Sequence, residues 1–181
     1  MPTVVRKLTS ADAAAFQALR LQGLRECPSA FASSYEEECE LPLSVVADRL
    51  EPRGDRAVFG AFIDQALVGV LGLARESHRK LAHKAYLWGM YVDPAHRKSG
   101  VGRALVAEAL SSASSEMQVR QVNLGANARN DAAIALYEAM GFTAYGREPC
   151  FMLVDGVAHD EIHMVRVLDG HPPLRTANQS G

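Results

Sequence analysis

The stretch MYVDPAHRKSGVGRAL, from Met90 to Leu105, leaves the chain the fewest choices. An apolar run ends at Val92. Asp93-Pro94 must break it, because proline has no N–H and drives its predecessor out of the helical region. Arg97, Gly100 and Gly102 follow at the spacing R-x-x-G-x-G, after which Val101, Leu105 and Ala109 recur at four-residue steps. That is a buried strand, a turn, and a glycine-rich start to a helix.

Such a junction suits an anion. The first turn of a helix has N–H groups without internal partners, and its dipole adds positive potential. Glycines at 100 and 102 remove Cβ atoms that would hold phosphate oxygens off the backbone. Arg97, Lys98 and Arg103 add full charges, and Ser99 and Val101 complete the turn. A diphosphate fits. A Walker loop is excluded, since no Gly-Lys-Ser/Thr closes the stretch. A dinucleotide G-x-G-x-x-G is excluded by Leu105 at the third glycine position.

A second stretch, NARNDAAIALYEAMGF from Asn127 to Phe142, lies about one helix and one strand downstream. Together the two resemble the GCN5-related N-acetyltransferase (GNAT) superfamily. There the R-x-x-G-x-G turn holds the pyrophosphate of acetyl-coenzyme A (acetyl-CoA), and an Asn-x-x-Ala-x-x-Leu-Tyr-x-x-x-Gly-Phe pattern follows. Asn130, Ala133, Leu136, Tyr137, Gly141 and Phe142 match that pattern at every position. The resemblance is sharpest from Tyr86 to Phe142. It implies a single-domain α/β fold over residues 1–168, with a mixed sheet of about seven strands and about four helices. Residues 169–181, with Pro172-Pro173, are expected to be a polar disordered tail.

Composition adds bounds. A chain of 181 residues with 48% hydrophobic and 22% charged residues is expected to form one soluble globular domain. A net charge of −2 gives no reason to expect a nucleic-acid partner. Cys27, Cys39 and Cys150 lack C-x-x-C pairing, which suits free thiols and implies no metal site. No apolar run approaches the ~20 residues of a membrane span, and the N-terminus lacks a signal-peptide core, so a cytoplasmic location is expected.

In order, the chain reads as a strand at Thr3–Leu8, a helix over Ala11–Cys27 capped by Ser10, an aperiodic acidic segment over Ser29–Glu40, and a short helix from Pro42 to Leu50. A hairpin turning at Asp64-Gln65 and a central strand over Ala85–Val92 follow. Then come a helix over Ser99–Ser114, a strand over Val119–Leu124, and a helix from the Asn130 cap to Met140. Two strands joined at Asp155-Gly156 end the order.

The resemblance implies acyl transfer from acetyl-CoA by direct attack of a primary amine, whether of a small molecule, an amino acid or a peptide. A backbone N–H from Met90, Tyr91 or Val92 would polarise the thioester carbonyl, beside a splay that admits the pantetheine arm. A lysine-like amine of pKa about 10.4 lies roughly 4 kcal/mol from its reactive form at neutral pH, against roughly 2 kcal/mol for a thiol leaving group. The base therefore matters more than the acid, unless the acceptor amine is intrinsically weak. Tyr137 matches the family's proton donor to the thiolate, although it also shares a helical face with Ala133, Leu136 and Met140. Asn130 is a helix cap, a coenzyme A contact, or both.

Many relatives carry a glutamate on the central strand, but Ala85–Met90 has no carboxylate. The base is left among Glu36, Glu37, Glu38, His83, His159, Asp160, Glu161 and a water chain. The acidic run at 36–38 would suit a cationic acceptor, and Phe31, Tyr86 and Trp88 could wall it. A non-catalytic acyl-CoA sensor is the competing reading, and homodimerisation, common in the family, is left open.

Overall fold

The computed structural model describes residues 2–170. The polar tail expected over residues 169–181 lies outside them from residue 171 on. One seven-stranded sheet runs through the molecule in the order β1-β2-β3-β4-β5-β7-β6. Its strands are β1 (Val4–Lys7), β2 (Arg56–Ile63), β3 (Ala66–Arg75), β4 (Lys84–Val92), β5 (Gln121–Asn127), β6 (Thr143–Val154) and β7 (Val157–Val167). Five helices flank it: α1 (Ala13–Glu26), α2 (Tyr35–Glu38), α3 (Leu43–Leu50), α4 (Val101–Ser115) and α5 (Asp131–Ala139).

All neighbours are antiparallel except β4 and β5, which run parallel. The two hairpin turns fall at Asp64-Gln65 and Asp155-Gly156, and all four residues take positive φ. That is the mirror-image turn whose twist suits adjoining strands.

Two cores follow from the alternation of the strands. Phe59, Leu71, Leu73, Leu87, Val122 and Leu124 face α4, which buries Val101, Leu105, Val106 and Ala109 against them. On the opposite face Val58, Val70 and Tyr91 meet Phe16, Leu19 and Leu24 of α1 and Val46 and Leu50 of α3.

The first helix starts later than expected. Ser10–Asp12 forms a 3-10 turn and α1 begins at Ala13. Ser10 does not cap it. Asp12 instead turns its carboxylate back to the Thr9 N–H (2.9 Å) and to Arg6 (2.7 Å). The aperiodic segment contains α2, a fifth helix too short for any period. Its local signal is the reciprocal pair Ser34 N–H to Glu37 Oε2 (2.7 Å) and Glu37 N–H to Ser34 Oγ (3.3 Å).

Hydrogen bonding from Arg6 holds the Asp12 carboxyl down at about 2. A carboxyl depressed in the folded state stabilises it above the unfolded pKa near 4 and loses that contribution as the pH falls towards 2. Urea titrations of wild type and Asp12→Asn between pH 5 and 2 should therefore converge at the acid end. The gap at pH 5 should be no more than about 1 kcal/mol, because Arg6 is half-exposed and solvent screens the pair.

Candidate active site

The parallel pair β4 and β5 is joined only at Lys84–Tyr86 against Gln121–Asn123. Beyond Tyr86 the strands part: β5 stays with β7 to Asn127, and β4 stays with β3 to Val92. The parting opens a cleft of about 530 Å³.

A bulge shapes the β4 side. Gly72 faces Trp88 and Val70 faces Tyr91, so Leu71 alone opposes both Gly89 and Met90. Gly89 takes φ +63, a conformation suited to glycine, and the extra residue re-aims the backbone at Met90. A glycine inside an apolar strand was the available signal for this bulge. Trp88 reaches across onto Gly72, where a Cβ would stand 2.0 Å from its ring.

At one mouth stands the glycine-rich turn. Lys98 and Gly100 both adopt left-handed backbone, with φ +61 and +88. A Cβ on Gly100 would meet nothing within 4 Å. Gly102 has another reason to be glycine, since a Cβ there would lie 2.9 Å from Met90 Cε and 3.1 Å from Leu136 Cδ2. It lets α4 approach β4 and α5. Arg97, Lys98, Gly100, Gly102 and Arg103 all line the cleft. Arg97 is oriented by its Nε–H bond to the Val92 carbonyl (2.9 Å) and lies over the Tyr91 ring.

Two members of the turn point elsewhere. Ser99 donates its hydroxyl to the His96 carbonyl (2.6 Å), and Val101 is buried against Gly69 beneath the sheet. Only their backbone groups remain to face a ligand.

Inside the cleft Met90, Tyr91, Val92, Asn130, Ala133, Leu136 and Tyr137 come together. Asn130 Oδ1 accepts the Ala133 N–H (3.1 Å), capping α5. The Tyr137 hydroxyl lies 3.2 Å from Met90 Sδ, and its ring packs edge-on to Phe142. Burial pushes the Tyr137 phenol up to about 12, so it keeps its proton across the physiological range. Tyr91 turns away. Its hydroxyl donates to Glu26 Oε2 (2.5 Å), and burial together with that carboxylate raises its pKa strongly.

The opposite wall holds Cys27, Ala30, Phe31, Gly125 and Asn127. Asn127 Nδ2 donates to the Ser29 carbonyl (2.9 Å), tying β5 to the 3-10 turn Pro28–Ala30. Trp88 and Phe31 are in this wall, but Tyr86 is not; it borders a separate hollow with Arg49 and Arg56.

The structure sorts the residues considered as bases. Glu37 is engaged at the α2 cap. Glu38 is buried between Arg20 (2.9 Å) and Arg49 (3.2 Å); burial raises its pKa, but the two arginines outweigh it and leave it lowered. Glu38 is thus neutralised internally, whereas Glu36 and Glu37 stay exposed on α2. His83 precedes the far end of β4, about 23 Å from Met90 at ~3.3 Å per residue. Asp160 is held by Arg147 (2.7 Å) and the Cys150 N–H (2.9 Å). His159 Nδ1 stands 3.2 Å from Asn127 Nδ2, and the Glu161 carboxyl lies directly over Gly125.

The acetyltransferase (GNAT) family profile matches residues 21–142. The chain belongs to that family. It is 31% identical over 84 residues to human N-alpha-acetyltransferase 30, a match spanning 46% of this chain and 23% of that one. An uncharacterised protein of Mycobacterium leprae is 35% identical over 97 residues, 54% of this chain and 26% of that protein. The matches thus span about a quarter of those curated relatives. In fold the chain is similar to Salmonella typhimurium yncA, solved with its cofactor acetyl-CoA. The TM-score is 0.79 at 20% identity, covering 98% of this chain and 100% of that one.

Proposed function

We propose that the protein is an N-acetyltransferase that moves the acetyl group of acetyl-CoA to a primary amine, with the free α-amine of a peptide as acceptor. The observation that carries this reading is the parting of β4 from β5, with a positive glycine-rich turn at one mouth and a protonated tyrosine inside. The likeness to a protein named as an N-alpha-acetyltransferase supports the choice of acceptor.

Acetyl-CoA supplies an activated thioester. The residues present suit it. The open space at Gly100 and the first-turn N–H groups of α4 would take the diphosphate, with Arg97, Lys98 and Arg103 adding charge. Beyond Tyr86 the β5-facing edge of β4 offers amide groups to a pantetheine arm. The re-aimed N–H groups at the bulge would stabilise the oxyanion that forms as the amine attacks, a contribution of roughly 3–4 kcal/mol for one well-placed donor. As the carbon–sulfur bond breaks, the Tyr137 hydroxyl would donate to the departing sulfur. Its pKa of about 12 exceeds a free thiol's ~8.5, so a hydrogen bond to the thiolate is favoured over full transfer.

Calorimetric titration with acetyl-CoA, followed by thiol release in the presence of peptides differing in their first residue, tests the reading. Binding with peptide-dependent release is expected. Absence of binding would overturn it, and binding without release would favour a sensor. Tyr137→Phe should leave acetyl-CoA binding unchanged and slow kcat about tenfold to a hundredfold. Undiminished turnover would remove the tyrosine from the reaction.

A further inference from the structure

A carboxylate lies directly over Gly125, a residue of the cleft wall. Val122, Leu124 and Ala126 of β5 face α4, so Gly125 presents the opposite side, towards Phe31 and the Pro28–Ala30 turn. On that side Glu161 of β7 folds over Gly125 so closely that a Cβ there would be 1.8 Å from Oε1 and 2.3 Å from Cδ. The carboxyl occupies the place a side chain at 125 would take, so any larger residue there would have to displace it.

Glu161 does not stand alone. Its Oε1 lies 3.6 Å from His163 Nδ1, and His163 Nε2 lies 3.0 Å from Glu148 Oε2 on β6. The side chains grow more exposed along this line, from 15% for Glu161 through 29% for His163 to 53% for Glu148. The imidazole has the Tyr145 ring stacked beside it (6.0 Å) and the Phe151 ring edge-on (6.5 Å).

We propose that Glu161 is the general base of the reaction and that His163 and Glu148 form its exit to solvent. The inference rests on the acetyltransferase reading above. The acceptor ammonium gives its proton to a Glu161 carboxylate oxygen, freeing the nitrogen lone pair to attack the thioester carbon. The C–N bond forms, the C–S bond breaks, and the electron pair leaves on sulfur. Glu161 returns to the carboxylate by passing its proton to His163 Nδ1, while Nε2 releases one to Glu148 and thence to water.

The surroundings favour this assignment. Burial raises the Glu161 carboxyl; the His163 charge opposes this and Glu148 adds to it. A carboxylate of raised pKa is a stronger base. The charged groups facing it are His163 on its own strand and Glu148 from β6. Asp160 and Arg147 are taken up with each other. Asn123 and Asn127 of β5 and the Pro28–Ala30 turn bring no ionisable side chain, and His159 lies against Asn127.

The test is the pH dependence of turnover in full-length Glu161→Gln, using a peptide acetylated by wild type. A peptide α-amine has pKa about 7.7–8.0 and is mostly protonated at pH 6.5. The expected deficit in kcat is about a hundredfold at pH 6.5, closing to a few-fold at pH 9, where the amine deprotonates unaided. The KM for acetyl-CoA should not change. A deficit equal at both pH values, or none, would overturn the proposal. Glu148→Gln, at the exposed end, keeps the fold intact as a second variant. By nitrogen-15 NMR the His163 ring resonances should move in both Glu148→Gln and Glu161→Gln, and a histidine indifferent to Glu161 would break the line whatever the acceptor. Failure of wild type to bind acetyl-CoA would count against the parent reading, whereas the NMR result would still judge the coupling.

Discussion

Glu38→Ala is expected to destabilise the fold by about 3–5 kcal/mol, seen as a lower urea midpoint in denaturation followed by circular dichroism. Arg20 comes from the middle of α1 and is only 5% exposed. Its Nε and Nη2 both donate to Glu38, at 3.2 and 2.9 Å, while Nη1 is buried without a partner. Removing the carboxylate leaves a full positive charge in the core with nothing to answer it. The same change at Arg49, whose side chain is 32% exposed, should cost less than about 1 kcal/mol. Replacing Arg20 and Glu38 together by Met and Leu should recover most of the loss, because the cost lies in the orphaned charge. The pair also matters to the cleft. The Arg20 guanidinium lies 4.7 Å from the centre of the Phe31 ring, so losing it would loosen the acceptor wall. A loss well under 1 kcal/mol in the alanine variant would mean that water reaches Arg20 easily.

Gly100→Asp should abolish detectable acetyl-CoA binding. A carboxylate about 4 Å from one phosphate charge costs about 4 kcal/mol at an effective dielectric of 20, two to three orders of magnitude in Kd. The fold itself should survive. A side chain at 100 meets nothing within 4 Å, and aspartate is among the few residues that tolerate the left-handed backbone found there. Gly100→Asn keeps shape and backbone tolerance without the charge, and should bind much more tightly than the aspartate variant. Calorimetry on the two variants separates electrostatic exclusion from crowding. Equal affinities for wild type and Gly100→Asp would remove this turn from the site.

What could be read beforehand was whatever local chemistry enforces. Proline at 94 and the glycine pair at 100 and 102 mark the strand-to-helix junction, and the Asp-Gly turn at 155–156 fixes a hairpin register. Element order, the mixed sheet and the residues gathered in the cleft from Met90 to Tyr137 followed from such signals and from a family pattern. The acceptor side was harder, because its logic is non-local. Three adjacent glutamates look like a solvated or substrate-binding run; only folding shows Glu38 meeting Arg20 across eighteen positions. Glu161 stood among eight alternatives, since nothing in sequence says that it will lie over Gly125. His83 was also a candidate, but it precedes β4 at the end away from Met90.

The parting of β4 and β5 has a mechanical side. Three parallel residue pairs, Lys84–Tyr86 with Gln121–Asn123, and the Arg120 N–H bond to the His83 carbonyl (2.8 Å) join a leaf of β1–β4 to a leaf of β5, β7 and β6. A long ligand lying in the gap becomes the missing length of that seam, knitting the leaves where the backbone does not. Occupancy and cohesion are then linked quantities: a ligand at a hundred times its Kd adds about 2.7 kcal/mol to the resistance of the whole sheet against unfolding. An acyl donor held this way would be structural infill as much as reagent, spanning the stretch that the backbone seam leaves open.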